Sequence, residues 1–290
     1  YLRNVTWVGN TVYPSNYLAA KLGMKNGDVY NQKLLGERTS SDDDAIGNDY
    51  YNQGYVFFSL DPVEVNIVGD SIDLEMRIME GPQATINKVR INGNDRLYEN
   101  IVRRELRTKP GDLFNKDALE RSYREIAQMG HFNPENIQPD VQPDATNGTV
   151  DINWNLESKP NDQIEFSAGW GQTGVIGKLS LKFTNFSMSN LFRKNDNYRG
   201  IIPQGDGQTL TVSGQTNGSY YQSYSISFLD PWFGGKRPNS LSVSAFYSVQ
   251  TDISSNYYNS AYMNNFYNYY SGYGSYYNNY YNNYESYYDP

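Results

Sequence analysis

The stretch Lys159-Pro160-Asn161-Asp162-Gln163-Ile164-Glu165-Phe166-Ser167-Ala168-Gly169-Trp170 changes the rhythm of the chain. From Gln163 onward, apolar Ile164, Phe166, Ala168 and Trp170 alternate with Gln163, Glu165, Ser167 and Gly169. A period of two places successive side chains on opposite faces of a strand. The same alternation carries Leu179, Leu181 and Phe183 against Lys178, Ser180, Lys182 and Thr184. It returns at Leu210 and Val212, at Tyr224, Ile226 and Phe228, and at Leu241 and Val243, giving five predicted strands. One face is oily, and the other is built from Ser, Thr, Lys and Gln.

A soluble β-sandwich also alternates, so the choice rests on the strand ends. Trp170, Phe186, Phe192, Tyr220, Trp232 and Phe233 gather there, and aromatic girdles bounding an apolar band mark a transmembrane barrel. Lipid admits only helices and closed barrels, because no water satisfies backbone groups in it. Single-chain bacterial barrels have about eight strands or more. The segment 161–250 therefore reads as an antiparallel transmembrane β-sheet that is an incomplete β-barrel. No stretch approaches the roughly 18 consecutive apolar residues of a membrane helix, and Tyr1 stands in folded-looking sequence rather than in a signal peptide.

Upstream of Pro160 the chain repeats itself. Gly9-Asn10 matches Gly93-Asn94, and Gly27-Asp28-Val29-Tyr30-Asn31 matches Gly111-Asp112-Leu113-Phe114-Asn115, both at an offset of 84. Such self-similarity marks a repeated structural unit. Each copy reads strand, helix, helix, strand, strand, over 1–82 and 83–160. In the second copy Val89 and Ile91 lie in an opening strand closed by Gly93-Asn94. Ile101, Val102 and Leu106 follow helical spacing, Asn115 is placed to cap a second helix, and Gly130 to stop it. Two strands follow, over 136–141 and 149–156, joined by a turn rich in Asp, Asn and Gly. The first copy has eight extra residues around Ser40 to Asn48. They include Asp42, Asp43 and Asp44, read as a solvated turn at a helix start rather than a cation site.

The chain has a net charge of −8, which argues against nucleic acid as a partner, and no cysteine, which excludes a disulfide framework. Gly169, Gly171 and Gly174 fit the G-x-G-x-x-G spacing, but a strand follows where a dinucleotide site needs a helix. The single histidine, His131, reads as a packing residue, and no G-x-S-x-G nucleophile elbow is present. Neither a catalytic nor a metal site is expected, and no cofactor. The last segment, 251–290, is dominated by Tyr and Asn and reads as a loop.

The repeated unit resembles the POTRA domain, through its Gly-Asp-aromatic turn and through Gly54-Tyr55 and Gly130-His131-Phe132. Two such units followed at once by barrel strands resemble the BamA branch of the outer-membrane assembly factors. Phe228-Leu229-Asp230-Pro231-Trp232-Phe233-Gly234 resembles a motif found at a periplasmic turn in those barrels. The Tyr- and Asn-rich segment resembles an extracellular loop of Bacteroidetes-type members. The resemblance implies a bacterial outer-membrane location with POTRA modules in the periplasm. It also implies a non-enzymatic insertase that captures unfolded outer-membrane proteins by strand addition.

The edges so implied carry Val63, Val65 and Ile67 in the first module and Asn136, Ile137 and Val141 in the second, where Pro139 and Pro143 point to partial blunting. The first barrel strand, Gln163, Ile164, Glu165, Phe166, Ser167, Ala168, Gly169 and Trp170, is implied as one side of a lateral gate. Asp230, Pro231, Trp232, Phe233 and Gly234 are implied to form the periplasmic turn. Accessory outer-membrane lipoproteins or periplasmic chaperones and the lipid bilayer are the other implied partners. A two-partner secretion transporter of the same superfamily is the alternative.

Overall fold

The computed structural model describes residues 1–171, 174–192, 202–218, 220–235 and 237–251. The Phe192 side chain and the tail 252–290 lie outside the described residues.

The first module runs β1 (Leu2–Val8), α1 (Ser15–Leu22), α2 (Gln32–Gly36), a π-helical turn (Glu37–Ser41), α3 (Ile46–Asn52), β2 (Ser59–Val68) and β3 (Ser71–Met79). Its sheet has the order β1-β3-β2, with β1 parallel and β2 antiparallel to the central strand. Leu74, Met76 and Ile78 alternate along β3 and are buried with Leu18, Leu22, Ile46 and Tyr50 of the helices. The Tyr50 ring stacks on Phe58 with centroids 4.1 Å apart, and its hydroxyl donates to Glu80 Oε1 at 3.0 Å. Burial pushes the Glu80 carboxyl up, but hydrogen bonds from the Thr11 hydroxyl, the Val12 and Thr11 N–H groups and Tyr50 outweigh it, so the net shift is downward.

The extra residues of this module break its second helical region instead of lengthening it. The Thr39 hydroxyl donates to Leu35 O at 2.8 Å and the Ser40 hydroxyl to Gly36 O at 3.0 Å, and α2 widens into the π turn. Asn48 Nδ2 then donates to the carbonyls of Asp42 and Asp43 at 2.9 and 3.0 Å, fixing the turn before α3. Arg38 pairs with Asp42 and Asp44 at 3.7 and 3.2 Å, the role of those carboxylates in this turn.

The second module repeats the plan with β4 (Thr85–Asn92), α4 (Glu99–Arg103), α5 (Lys116–Gln128), β5 (Gln138–Asp144) and β6 (Thr149–Asn155), in sheet order β4-β6-β5. Asn115 caps α5, its side chain accepting from Ala118 N at 2.8 Å. Val150, Ile152 and Trp154 face the helices and are fully buried with Ile126 and Val102. The matched glycines Gly9 and Gly93 both hold a left-handed backbone, with φ of 89° and 75°. A Cβ there would strike the carbonyl oxygens of Ile78 and Leu156. Only glycine therefore lets the end of the first strand approach the end of the third.

The downstream sheet comprises β7 (Gln163–Gly171), β8 (Gly174–Phe186), β9 (Gln208–Asn217), β10 (Tyr221–Asp230) and β11 (Leu241–Gln250), in the order β11-β10-β9-β8-β7. A short helix, α6 (Met188–Phe192), follows β8. The architecture is thus α+β modules followed by an open antiparallel sheet, as the alternation predicts. Among the described residues the chain divides into two compact units: one takes Tyr1–Asp162 with residues from Phe183–Thr209 and Asp230–Asn239, and the other the described residues of Gln163–Lys182, Leu210–Leu229 and 240–251. Two predicted girdle residues turn inward instead. Phe186 is buried, bridging Gln204 through its backbone, and Trp232 is half-buried.

Candidate functional site

Each module sheet has two edges, and the repeated Gly-Asp turn occupies one of them. In the first module Leu2 N donates to Asp28 O at 2.8 Å and Gly27 N to Leu2 O at 2.7 Å. In the second, Ile86 N donates to Asp112 O at 2.8 Å, Gly111 N to Ile86 O at 2.7 Å, and Phe114 N to Ala84 O at 3.0 Å. Arg103 of α4 adds two donors to Val89 O at 3.2 and 3.3 Å. These contacts cover the start of the β1 edge, at Leu2, and the first half of the β4 edge. Sequence reasoning recognised the turn without its task, although the constant offset that keeps it at one distance from the first strand was an available signal.

The outer edges of β2 and β5 remain. Val63 stands opposite Glu75, on the face away from buried Leu74 and Met76. Val65 falls at a register shift between Glu64 and Asn66, a bulge that breaks the predicted alternation and leaves it exposed. Ile67 stands opposite Ile72 and is also exposed. On β5, Val141 faces Ile152 and is half-buried. The expected edge positions Asn136 and Ile137 need correction. Asn136 belongs to a 3-10 turn (Pro134–Asn136) that Asn133 caps by accepting from Glu135 N, and Ile137 is buried in the module core. Pro134 at the start of that turn favours helical over extended backbone there, so the strand begins at Gln138.

The two β5 prolines, Pro139 and Pro143, stand opposite Trp154 and Val150. An edge strand accommodates proline by turning the missing N–H outward. Val141, which shares their alternate positions, then supplies the outward N–H between them. β2 holds one proline, Pro62, so its outer edge is richer in donors.

In the downstream sheet β7 is an end strand, paired with β8. Gln163, Glu165, Ser167 and Gly169 stand opposite Lys182, Ser180, Lys178 and Ile176, while Ile164, Phe166, Ala168 and Trp170 stand opposite Leu181, Leu179, Gly177 and Val175. Directly opposed residues share a face, so the second set forms a continuous oily surface, with Ile164 78% and Trp170 85% exposed. The other face carries hydroxyls that bond across strands: Ser213 to Ser225 at 2.7 Å and Ser244 to Ser227 at 2.9 Å.

Asp230, Pro231, Trp232, Phe233 and Gly234 form the β10–β11 turn. The Asp230 carboxylate accepts from Trp232 N at 2.9 Å and from Gln208 Nε2 at 3.0 Å. Gly235 N closes the turn on Trp232 O at 2.8 Å. The structure thus brings the turn residues together, while the β2, β5 and β7 edges belong to three separate sheets.

The POTRA family model, described as a surface antigen variable number repeat, matches residues 1–81 and 84–159. The chain belongs to the POTRA family. Beyond the two POTRA modules it is similar to the putative outer membrane protein assembly factor of Treponema pallidum (strain Nichols), 25% identical over 80% of this chain and 26% of that protein. It is also similar to the outer membrane protein assembly factor BamA of Neisseria meningitidis serogroup B (strain MC58), 28% identical over 76% of this chain and 25% of that protein. The chain thus spans about a quarter of the length of these curated relatives. Its fold is shared with the crystal structure of BamA from Haemophilus ducreyi lacking POTRA domains 1-3, at a TM-score of 0.66 and 19% identity, over 86% of this chain and 43% of that one. As in these outer-membrane relatives, the POTRA modules are periplasmic and the strands that follow belong to the outer membrane.

Proposed function

We propose that the protein acts in outer-membrane protein assembly as an insertase, without catalysing a covalent reaction. Its clients are unfolded β-barrel proteins. The observation that carries this reading is the side of β7 left unpaired among the described residues, on an end strand with an oily face, reached along the chain from two modules that each present a sheet edge. An extended client first adds to the β2 edge, where main-chain hydrogen bonds give affinity without strong sequence preference.

The second step takes place in lipid. There an unpaired backbone N–H or C=O costs several kcal/mol, so an exposed β7 edge is a strong template for an incoming strand. In the complete barrel that edge meets the last strand and forms a lateral gate. Each client strand that pairs with it satisfies the edge and presents a fresh one, so folding and insertion proceed together. Accessory outer-membrane lipoproteins or periplasmic chaperones deliver clients to the POTRA modules.

The test is site-specific photocrosslinking in the full-length protein during synthesis of a simple barrel client, with probes at Ile164, Phe166 and Val65. Crosslinks from Ile164 and Phe166 to the client's terminal strand are expected. Crosslinks from Val65 alone, with the client reaching the exterior, would overturn the insertase reading in favour of a secretion transporter.

A further inference from the structure

We propose that Trp232 is a positioning residue: it seats the second POTRA module on the β10–β11 turn, with Arg104 and Glu105 as its socket, so that module and turns move as one body. The turn sequence was recognisable, but its partner was not. The Arg104 guanidinium lies over the Trp232 ring, 4.8 Å from its centroid, the geometry in which a cation is drawn to the negative face of an indole. The indole N–H, which can only donate, bonds to the carboxylate of Glu105. Glu105 is 7% exposed. One ring is therefore held on its face by a cation and at its edge by a buried acceptor, both from the residues that follow α4.

The seat has a second leg on the other turn segment. Tyr98 N donates to Gly205 O at 2.9 Å, and Asn190 Nδ2 donates to the Tyr98 hydroxyl at 2.6 Å. Buried Asn185 donates to Arg96 O at 2.7 Å while its Oδ1 accepts from Gly205 N and Gly207 N at 3.2 and 3.1 Å. The two turn segments are tied to each other where Gln208 donates to Asp230. Module, first turn segment and second turn segment thus form a closed circuit within one compact unit. Trp232 adds a direct hold of the module on the second segment, beside the tie through Gln208. With two separated attachments the module cannot pivot about either alone. With Trp232 removed, the contacts around Tyr98 and Asn185 become a hinge.

The chain has no cysteine and so supplies no competing thiol; spin labels are placed at chosen sites of it in the full-length protein in lipid bilayers, after replacement of any cysteine elsewhere in that protein. One label is placed at exposed Arg124 on α5 and one at exposed Asn239 in the turn. A narrow distance distribution is expected for the parent protein, a clearly broader one for W232A and R104Q, and a recovery towards the parent for W232F, which keeps the ring face. A control pair at Arg124 and Asp140, both within the module, stays narrow in every variant if the module remains folded. An Arg124–Asn239 distribution in W232A and R104Q as narrow as the parent's would overturn the proposal. Should W232A fail to accumulate, R104Q alone decides it in the same way. The distances are read without any client, so they fail or hold independently of the assembly reading.

Discussion

His131 shows how one half-buried group adds to the acid sensitivity of a module. Its ring is half-buried beside Arg96, whose ion pair with Asp162 spans 3.3 Å. Burial comes first and the Arg96 charge second in lowering its pKa, against a smaller opposing pull from Asp162, and it falls from 6.5 to about 4. The imidazole is therefore neutral in the folded module at pH 7. In the unfolded chain it takes up a proton near its ordinary value, so between about pH 6.5 and 4 the unfolded state binds more protons. The contribution is present above the unfolded value and is lost as pH falls through that window. The loss is on the order of 2 kcal/mol. H131F is expected to abolish this slope. Urea unfolding of the POTRA modules at pH 7 and pH 4.5 checks it, and equal acid losses in parent and variant would assign the sensitivity to other groups. The sequence marked His131 as a packing residue, but the depressed pKa depends on its burial and on Arg96, which is remote along the chain.

At the scale of the strand, the two POTRA edges differ in what they offer an extended chain. The outward row of β5 loses donors at Pro139 and Pro143, while β2 loses one at Pro62. P139V/P143V restores two N–H groups and keeps apolar side chains facing Trp154 and Val150. With each net hydrogen bond contributing about 0.5–1.5 kcal/mol, binding of an extended peptide to the second module is expected to tighten by about tenfold. Peptide titration checks it, and unchanged affinity would mean that something other than proline closes this edge. The blunting was legible because proline carries its meaning in its covalent structure. The five downstream strands were equally legible, since period-two alternation is imposed by strand geometry itself. The limits of β5 were not: Asn136 and Ile137 fit a strand by composition, and a capped 3-10 turn took them instead. The π turn after α2 was also hidden, because its Thr39 and Ser40 bonds compete locally with the helix and leave no periodic trace.

Across the whole chain, the decisive contacts join copies of the same module, and repetition makes them comparable. Asn52 at the end of α3 accepts from Asp117 N through its side chain at 2.9 Å, while its carbonyl accepts from Asn115 Nδ2 at 2.9 Å. Lys116 Nζ reaches Asn48 Oδ1 at 2.7 Å. Leu113 packs so closely on Gly54 that a Cβ there would come within 2.7 Å of its side chain. The first module thus caps the second helix of the next and covers its turn. The equivalent turn residue of the first module, Val29, is 71% exposed, against 42% for Leu113, which measures what the joint covers. The repeat itself was legible in the sequence, but this joint was not, because an offset of 84 residues reports likeness between copies and says nothing of contact. N52A removes the acceptor of the Asp117 N–H and leaves the cores untouched. The variant is expected to keep both modules folded and to lose about 1–2 kcal/mol at the joint. Amide exchange then reads the outcome residue by residue. Asp117 should exchange faster by about tenfold or more, with Ile126 and Ile152 unchanged. Unaltered protection at Asp117 would mean that the two modules are held together by the Leu113–Gly54 packing rather than by the cap.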